Sequence, residues 1–228
     1  SQNLEARQLY TVTISSLRDC NGNLIQEEFN ELSFALPEAA EVGDLLINEI
    51  LFNPRSGGVD FVEIINPSDK YINLKNWELA NQEGTLTNAR IITSSDLIIP
   101  PGDYLVFTPD ENLLINQYPN SAEEKFFQTT LPSMNDDEGS IALVTETNLI
   151  IDAFAYIDKF HSSLLSDTEG VSLERISITE PTQSSGNWKS ANASVGFATP
   201  GYINSNSRPE NSIDDNSVRV EPEIFSTN

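Results

Sequence analysis

Residues 44–80 read DLLINEILFNPRSGGVDFVEIINPSDKYINLKNWELA, and this stretch decides the fold class. Its apolar runs are short and are separated by turn-forming residues: the first run ends at NP and SGG, and the second ends at NPSD. Proline and glycine between runs of β-branched residues are typical of turns between strands. The stretch therefore predicts three short β-strands joined by turns.

The same pattern continues along the chain. Further β-like runs follow at intervals of about ten residues, with turns at PPG (residues 100–102) and ETN (residues 146–148). Residues 110–126 have room for one short helical turn, because Pro119 prevents a longer helix. We therefore predict an all-β protein with an immunoglobulin-like β-sandwich.

The first forty residues predict an additional N-terminal β-hairpin. Apolar residues alternate in residues 10–14 and again in residues 32–36. Between the two runs, Asn21, Gly22 and Asn23 suit the positive-φ positions of a turn.

Asp19, Asn21 and Asn23 also have the alternating spacing of a calcium loop. The glycine comes too early for that loop, however, and Asn30 stands where a calcium loop requires a glutamate. We interpret these residues as a turn.

The overall charge excludes some function classes. Twelve basic residues against 35 acidic residues give a formal net charge of −23. Such a field repels phosphate backbones, so binding to nucleic acid is not expected, whereas divalent cations or a basic partner are attracted. Cys20 is the single cysteine, which leaves no internal disulfide and no structural zinc site within one chain. No apolar run is long enough to predict a transmembrane segment.

Two parts of the chain resemble known families. Residues 10–25 (YTVTISSLRDCNGNLI) resemble the last strands of a bacterial Ig-like domain. The motifs INEILFNP, DFVEIINPS and INLKNWEL resemble the start of a lamin tail domain, and IIPPGDYLVF and GSIALV…LIIDAFAY continue that resemblance. GVSLERISITEPTQSSGNW…ATPGYIN is similar to the closing signature of bacterial, exported lamin tail domains.

The resemblance implies a division of the chain. Residues 1–40 would be a partial Ig-like domain, represented by its C-terminal hairpin and a linker. Residues 43–204 would be the lamin tail domain, and residues 205–228 a linker or strand leading to the next domain. Within the last segment, VRVEPEIF (residues 218–225) is strand-like and is expected to pair with a free edge of the N-terminal hairpin.

The resemblance also implies a function. Bacterial lamin tail domains are found next to Ig-like repeats, or are appended to secreted hydrolases and nucleases. We therefore expect a non-catalytic binding or structural module of an exported bacterial protein. That protein would be secreted or located at the cell surface, associated with the outer membrane. Adjacent Ig-like domains are expected in the same polypeptide. Its partner would be a protein or a cell-surface polymer. The alternative is an accessory domain of a secreted hydrolase or nuclease that binds divalent metal through acidic loops.

Two glutamates lie inside predicted strands. Glu49 and Glu63 occupy strands that are expected to be neighbours, and Glu49 shares the parity of Leu45 and Ile47. Adjacent carboxylates shift each other's pKa and suit acid–base chemistry or a metal. The alternative, which we favour, is a structural polar seam in which Arg175, or else Lys75, pairs with them.

Other polar residues are candidates for metal binding or catalysis. Asp136, Asp137 and Glu138 are calcium candidates, although the interpretation that we favour is a hairpin turn with solvated charges. His161 stands near two serines and Asp167, but the sequence lacks a nucleophile elbow, so no catalytic residue is assigned. No phosphate-binding loop is present, and no cofactor is expected.

The two tryptophans carry different expectations. Trp77 alternates with Leu79 and is assigned to the core. Trp188 is flanked by polar residues, which is typical either of a cap on the open end of the sandwich or of a platform for a ligand.

Overall fold

The computed structural model describes residues 3–184 and 186–208. Its strands are β1 (Leu9–Thr13), β2 (Glu31–Ala35), β3 (Leu46–Leu51), β4 (Phe61–Ile65), β5 (Ile72–Asn73), β6 (Glu78–Glu83), β7 (Thr85–Ile91), β8 (Ile98–Ile99), β9 (Tyr104–Thr108), β10 (Phe126–Gln128), β11 (Glu138–Val144), β12 (Ile150–Ile157), β13 (Leu173–Arg175) and β14 (Trp188–Ser190). The α-helix of the described residues is α1 (Glu111–Gln117).

Two sheets form a sandwich. One sheet has six strands in the order β10-β9-β4-β3-β13-β14, and the other has four in the order β12-β11-β6-β7. Neighbouring strands are antiparallel except β10 and β9, which are parallel. The prediction of an all-β, immunoglobulin-like sandwich with an extra N-terminal hairpin is confirmed.

The main core lies between the sheets. Successive side chains of β4 point to opposite faces of the sheet, so that Val62 and Ile64 point inward while Glu63 points outward. Trp77 is buried in this core, as the sequence predicted. Trp188 is also a core residue: its ring stacks on Phe154 with 3.7 Å between centroids, so it is not an exposed ligand platform.

A β-bulge in β3 changes which residues face the core. The register shifts between Ile47 and Glu49, so that Ile47 and Ile50 point into the sandwich and Glu49 points outward. The expectation that Glu49 shares the face of Leu45 and Ile47 was therefore wrong. One extra residue in a strand reverses the alternation beyond it, and a parity count from the sequence cannot detect that.

A second layer covers the outer face of the six-stranded sheet. Leu51, Phe61 and Val106 pack against Leu114 and Tyr118 at α1. The carboxylate of Asp110 caps this helix by accepting a hydrogen bond from the Leu113 amide at 3.0 Å. Residues 197–206, which we call the strap, cover this face at β3, β4 and β13.

The edge of β12 is covered by other parts of the chain. The side-chain amide of Gln183 pairs with both the N–H and the C=O of Ala155, each at 2.9 Å, in the manner of a neighbouring strand. The Gly43 amide donates to the carbonyl of Ile151 on the same strand. These contacts cap an edge that would otherwise offer free backbone groups to another chain.

The N-terminal hairpin pairs β1 with β2 and stacks Tyr10 on Phe34. The long connection between these strands contains a tight turn at residues 19–23. The Asp19 carboxylate there accepts the amides of Asn21 and Asn23, which explains those residues as a turn.

The strand β14 was not predicted, because its three residues lie between polar loops and carry no apolar alternation. The expected pairing of residues 218–225 with the hairpin lies outside the described residues. No helix within the described part of the chain combines the length and apolar character that crossing a membrane demands.

The backbone at Gly201 yields a test of the strap. Gly201 has φ +86° and lies so close to Ala122 that a Cβ would stand 2.7 Å from the Cβ of that residue. We expect Gly201→Ala to lower the free energy of unfolding by more than the roughly 1–2 kcal/mol that a left-handed backbone costs an alanine. The measurement is urea denaturation.

Gly84→Ala is the matched control. Gly84 has φ +81° with open space around its Cα, so its substitution carries the backbone cost without crowding. Equal losses in both variants would show that the strap does not pack closely at Gly201.

Candidate functional site

Three glutamates stand side by side on the outer face of the six-stranded sheet. Glu49 on β3 lies opposite Glu63 on β4 and opposite Glu174 on β13. All three are fully buried, at 0% exposure. We call this row the carboxylate seam (Glu49, Glu63 and Glu174). Directly opposed residues on adjacent strands hold their Cβ atoms about 5 Å apart, so three like charges share a small volume.

The strap supplies hydrogen bonds to the seam. Glu49 Oε1 accepts the Thr199 amide at 2.9 Å and the Ser172 hydroxyl, and Glu49 Oε2 lies 3.0 Å from the Thr199 hydroxyl. Glu63 Oε2 accepts the Gly201 amide at 2.6 Å. The seam therefore binds the backbone of the strap.

Glu174 accepts more hydrogen bonds than the other two glutamates of the seam. Its carboxylate accepts the amides of Ser205 and Asn206, both of their side chains, and the hydroxyl of Thr199, at 2.7–3.0 Å. These donors satisfy both oxygens of the buried carboxyl group. Glu174 thus fixes the end of the strap.

Burial dominates the electrostatics of the other two carboxylates. Removal from water raises the pKa of Glu49, and the neighbouring Glu174 raises it further. The pKa of Glu63 is also raised well above its ordinary value, first by burial and then by the charge of Glu49. The hydrogen bonds from the strap and from Asn48 act in the opposite direction but do not cancel the burial.

Arg175 does not pair with Glu49 or Glu63, contrary to the sequence expectation. It follows Glu174 on the same strand, so the two side chains point to opposite faces of the sheet. On the inner face, the Arg175 guanidinium bonds Asp152 at 3.1 Å, the Ile47 carbonyl at 2.7 Å and the Thr182 hydroxyl at 2.7 Å. Lys75 pairs instead with the exposed Asp96.

This ion pair joins the two sheets. Arg175 belongs to the six-stranded sheet and Asp152 to the four-stranded sheet, and the Asp152 carboxylate also accepts the Ile47 amide at 2.8 Å. Burial raises the pKa of Asp152 despite the nearby guanidinium and lowers that of Arg175. The Arg175 guanidinium also lies over the Trp188 ring, at 5.2 Å from its centroid.

The calcium candidates lie on the surface. Asp136, Asp137 and Glu138 are exposed at the start of β11. Their neighbour Asp60 has its pKa raised to about 7, first by burial and then by the charge of Asp136. Across residues 3–184 and 186–208, no group of three or more His, Cys, Asp or Glu side chains is arranged to hold a metal ion.

His161 is a buried side chain of the core rim. Its Nδ1 lies 3.0 Å from the hydroxyl of Ser190, and its ring contacts Phe52. Burial lowers its pKa to about 4, so it is neutral at physiological pH. The hydroxyl of Ser162 and the carboxylate of Asp167 accept amides of their own loops rather than bonding His161.

Sequence reasoning missed four groups that complete these clusters: Asn48, Asp152, Glu174 and Thr199. A signal existed for one of them. Glu174 and Arg175 are consecutive residues of a short strand, so only one of the two can share a face with Glu49. The sequence around Thr199 does not indicate the role of this residue, because it lies in a loop.

The inner ion pair provides a prediction. Arg175→Met leaves Asp152 buried beside the core without its guanidinium, which costs about 3–5 kcal/mol for a buried pair broken on one side. We expect urea denaturation to show a loss of this size. The matched control, Lys75→Met, removes a cation from an exposed pair and should change stability little. Similar losses in the two variants would contradict a joining role for Arg175.

Comparison with known proteins agrees with this architecture. The family model described as Lamin Tail Domain matches residues 38–158, slightly more than half of the chain. The match begins just after the N-terminal hairpin and ends with β12 and the turn that follows it. A search of curated proteins gives no match. The chain belongs to the lamin tail domain family.

Proposed function

We propose that the chain is a non-catalytic binding or structural module of an exported bacterial protein, serving adhesion, anchoring or spacing at the cell surface or in a secreted polypeptide. One observation carries the proposal. The buried carboxylates of the seam, which are the strongest acid–base candidates, bond the backbone of the chain itself and are closed to solvent. A group in this state stabilises a fold and has no access to a substrate.

Family membership supports the same assignment. Lamin tail domains are non-enzymatic, Ig-like domains, which suits a binding or structural role. The resemblance of residues 10–25 to a bacterial Ig-like domain supports neighbouring Ig-like domains and export, as in multidomain surface proteins.

The net charge limits the kinds of molecule that the module can bind. A net charge of −23 repels anionic surface polymers, so a direct partner would be a basic protein surface, or an anionic polymer bridged by divalent cations. Nucleic acid remains an unfavourable partner for the same reason.

An accessory role beside a secreted hydrolase or nuclease is the second candidate. The observation that favours it is that Asp60 lies near Asp136: burial first, and then the charge of Asp136, raises the pKa of Asp60. A divalent cation recruited there would relieve that repulsion.

One experiment separates the two. The labelled chain is sedimented with intact bacterial cells, with calcium or with a chelator, and compared with the Asp136→Asn/Asp137→Asn variant. We expect retention on the cells that the variant preserves, since the module binds through its fold. Retention that requires calcium and disappears in the variant would favour the metal-dependent accessory role. No retention on cells under either condition would contradict the surface module.

A control variant distinguishes a specific binding site from an effect of net charge. Glu83→Gln and Glu78→Gln together remove as much negative charge as the aspartate variant, from β6 instead of the loop before β11. If this control loses retention equally, the effect is one of net charge and the acidic loop is not a site.

A further inference from the structure

The hydroxyl of Thr199 lies between two carboxylates. Its Oγ1 is 3.0 Å from Oε2 of Glu49 and 2.9 Å from Oε1 of Glu174. Both distances are those of hydrogen bonds, yet a threonine hydroxyl has a single proton to donate. One of the two carboxyl groups must therefore supply the second proton.

The surroundings identify the carboxyl group that carries it. Oε1 of Glu174 also accepts the Ser205 amide, and its Oε2 accepts the Asn206 amide and the side chains of Ser205 and Asn206, so both oxygens of Glu174 are already acceptors. At Glu49 Oε1, the Ser172 hydroxyl and the Thr199 amide both donate, whereas Oε2 has Thr199 Oγ1 as its partner. A proton on Oε2 of Glu49 gives an unbroken chain: Glu49 O–H donates to Thr199 Oγ1, whose O–H donates to Glu174.

We propose that the strap is a proton-locked clasp: one proton on Glu49, bridged to Glu174 through the Thr199 hydroxyl, holds the strap closed over the sheet, and its loss to a solvent base opens the strap. Loss of the proton places two charged oxygens around one hydroxyl in a site that is closed to solvent. The Thr199 and Gly201 amides donate into the same row of carboxylates, so repulsion within the row acts directly on the strap backbone.

Of the other ionisable groups around the seam, Glu63 follows the same trend as Glu49, whereas the two tyrosines stay neutral and the side chain of Arg175 lies on the opposite face. Glu63 faces Glu49 from β4, and its raised pKa adds to the same trend. Tyr104 on β9 and Tyr118 after α1 have raised pKa values, that of Tyr118 to about 12, so both stay neutral. The side chain of Arg175 bonds groups on the opposite face of the sheet.

The direction of the pH effect follows from linkage. A carboxyl group whose pKa is higher in the closed state than in the open state binds more protons when the strap is closed. Closure is therefore complete at pH values below the open-state pKa and weakens as the pH rises toward the closed-state pKa. Between these two values, the opening equilibrium increases by up to about tenfold per pH unit for one proton.

The test is amide hydrogen exchange of the full chain, read at Thr199 and Gly201 as protection factors across this pH range. We expect protection of both amides to fall by up to about tenfold per unit in the wild type. In Glu49→Gln, a carboxamide replaces the protonated carboxyl group and donates to Thr199 at every pH, so protection should depend on pH less steeply than in the wild type, with the remaining dependence coming from Glu63. Glu83→Gln, which removes an exposed charge, should retain the wild-type slope.

A second pair of variants keeps the proposal testable if Glu49→Gln does not fold. Thr199→Ser retains the bridging hydroxyl and should preserve strap protection, whereas Thr199→Val removes it and should lower protection at least tenfold at low pH. A wild-type protection profile independent of pH would overturn the clasp. So would a Glu49→Gln slope equal to that of the wild type, or equal protection in the serine and valine variants.

Discussion

The outer layer of this sandwich depends on three buried carboxylates that share one face of a sheet. Charged groups in such a place oppose folding, because desolvation and mutual repulsion both act against them. The strap offsets this cost with backbone amides at Glu49, Glu63 and Glu174. The same hydrogen bonds satisfy strap amides that would otherwise be buried without a partner, so the strap and the seam require each other.

The two faces of the six-stranded sheet use different electrostatic solutions. On the outer face, carboxylates of the seam bond backbone donors, with a proton at Glu49 in place of a countercharge. On the inner face, Asp152 has a true countercharge in Arg175, and the pair connects the two sheets beside the stacked rings of Trp188 and Phe154. Both clusters hold elements of the fold together, and neither presents its charged groups to solvent. This is consistent with a module that binds through its surface.

Much of the fold was predictable from local sequence. Turn residues and alternating apolar runs identify the sandwich strands from β3 to β13, and the motif around Glu49 and Glu63 identifies the family. The site was only partly predictable. The bulge between Ile47 and Glu49 reverses the face of Glu49, and such a one-residue shift leaves the composition of the strand unchanged. The role of Thr199 arises from a contact 150 residues away in the chain, which no local pattern encodes.

The central claim is that the seam holds a proton at Glu49 under conditions where exposed glutamates are charged. Carbon-13 NMR of the glutamate side-chain carboxyl groups, assigned by comparison with Glu49→Gln, measures this directly through a pH titration. The account predicts that the Glu49 carbon keeps the chemical shift of a neutral carboxyl group at neutral pH, while surface glutamates have titrated fully. A Glu49 carbon that titrates together with the surface glutamates would contradict it.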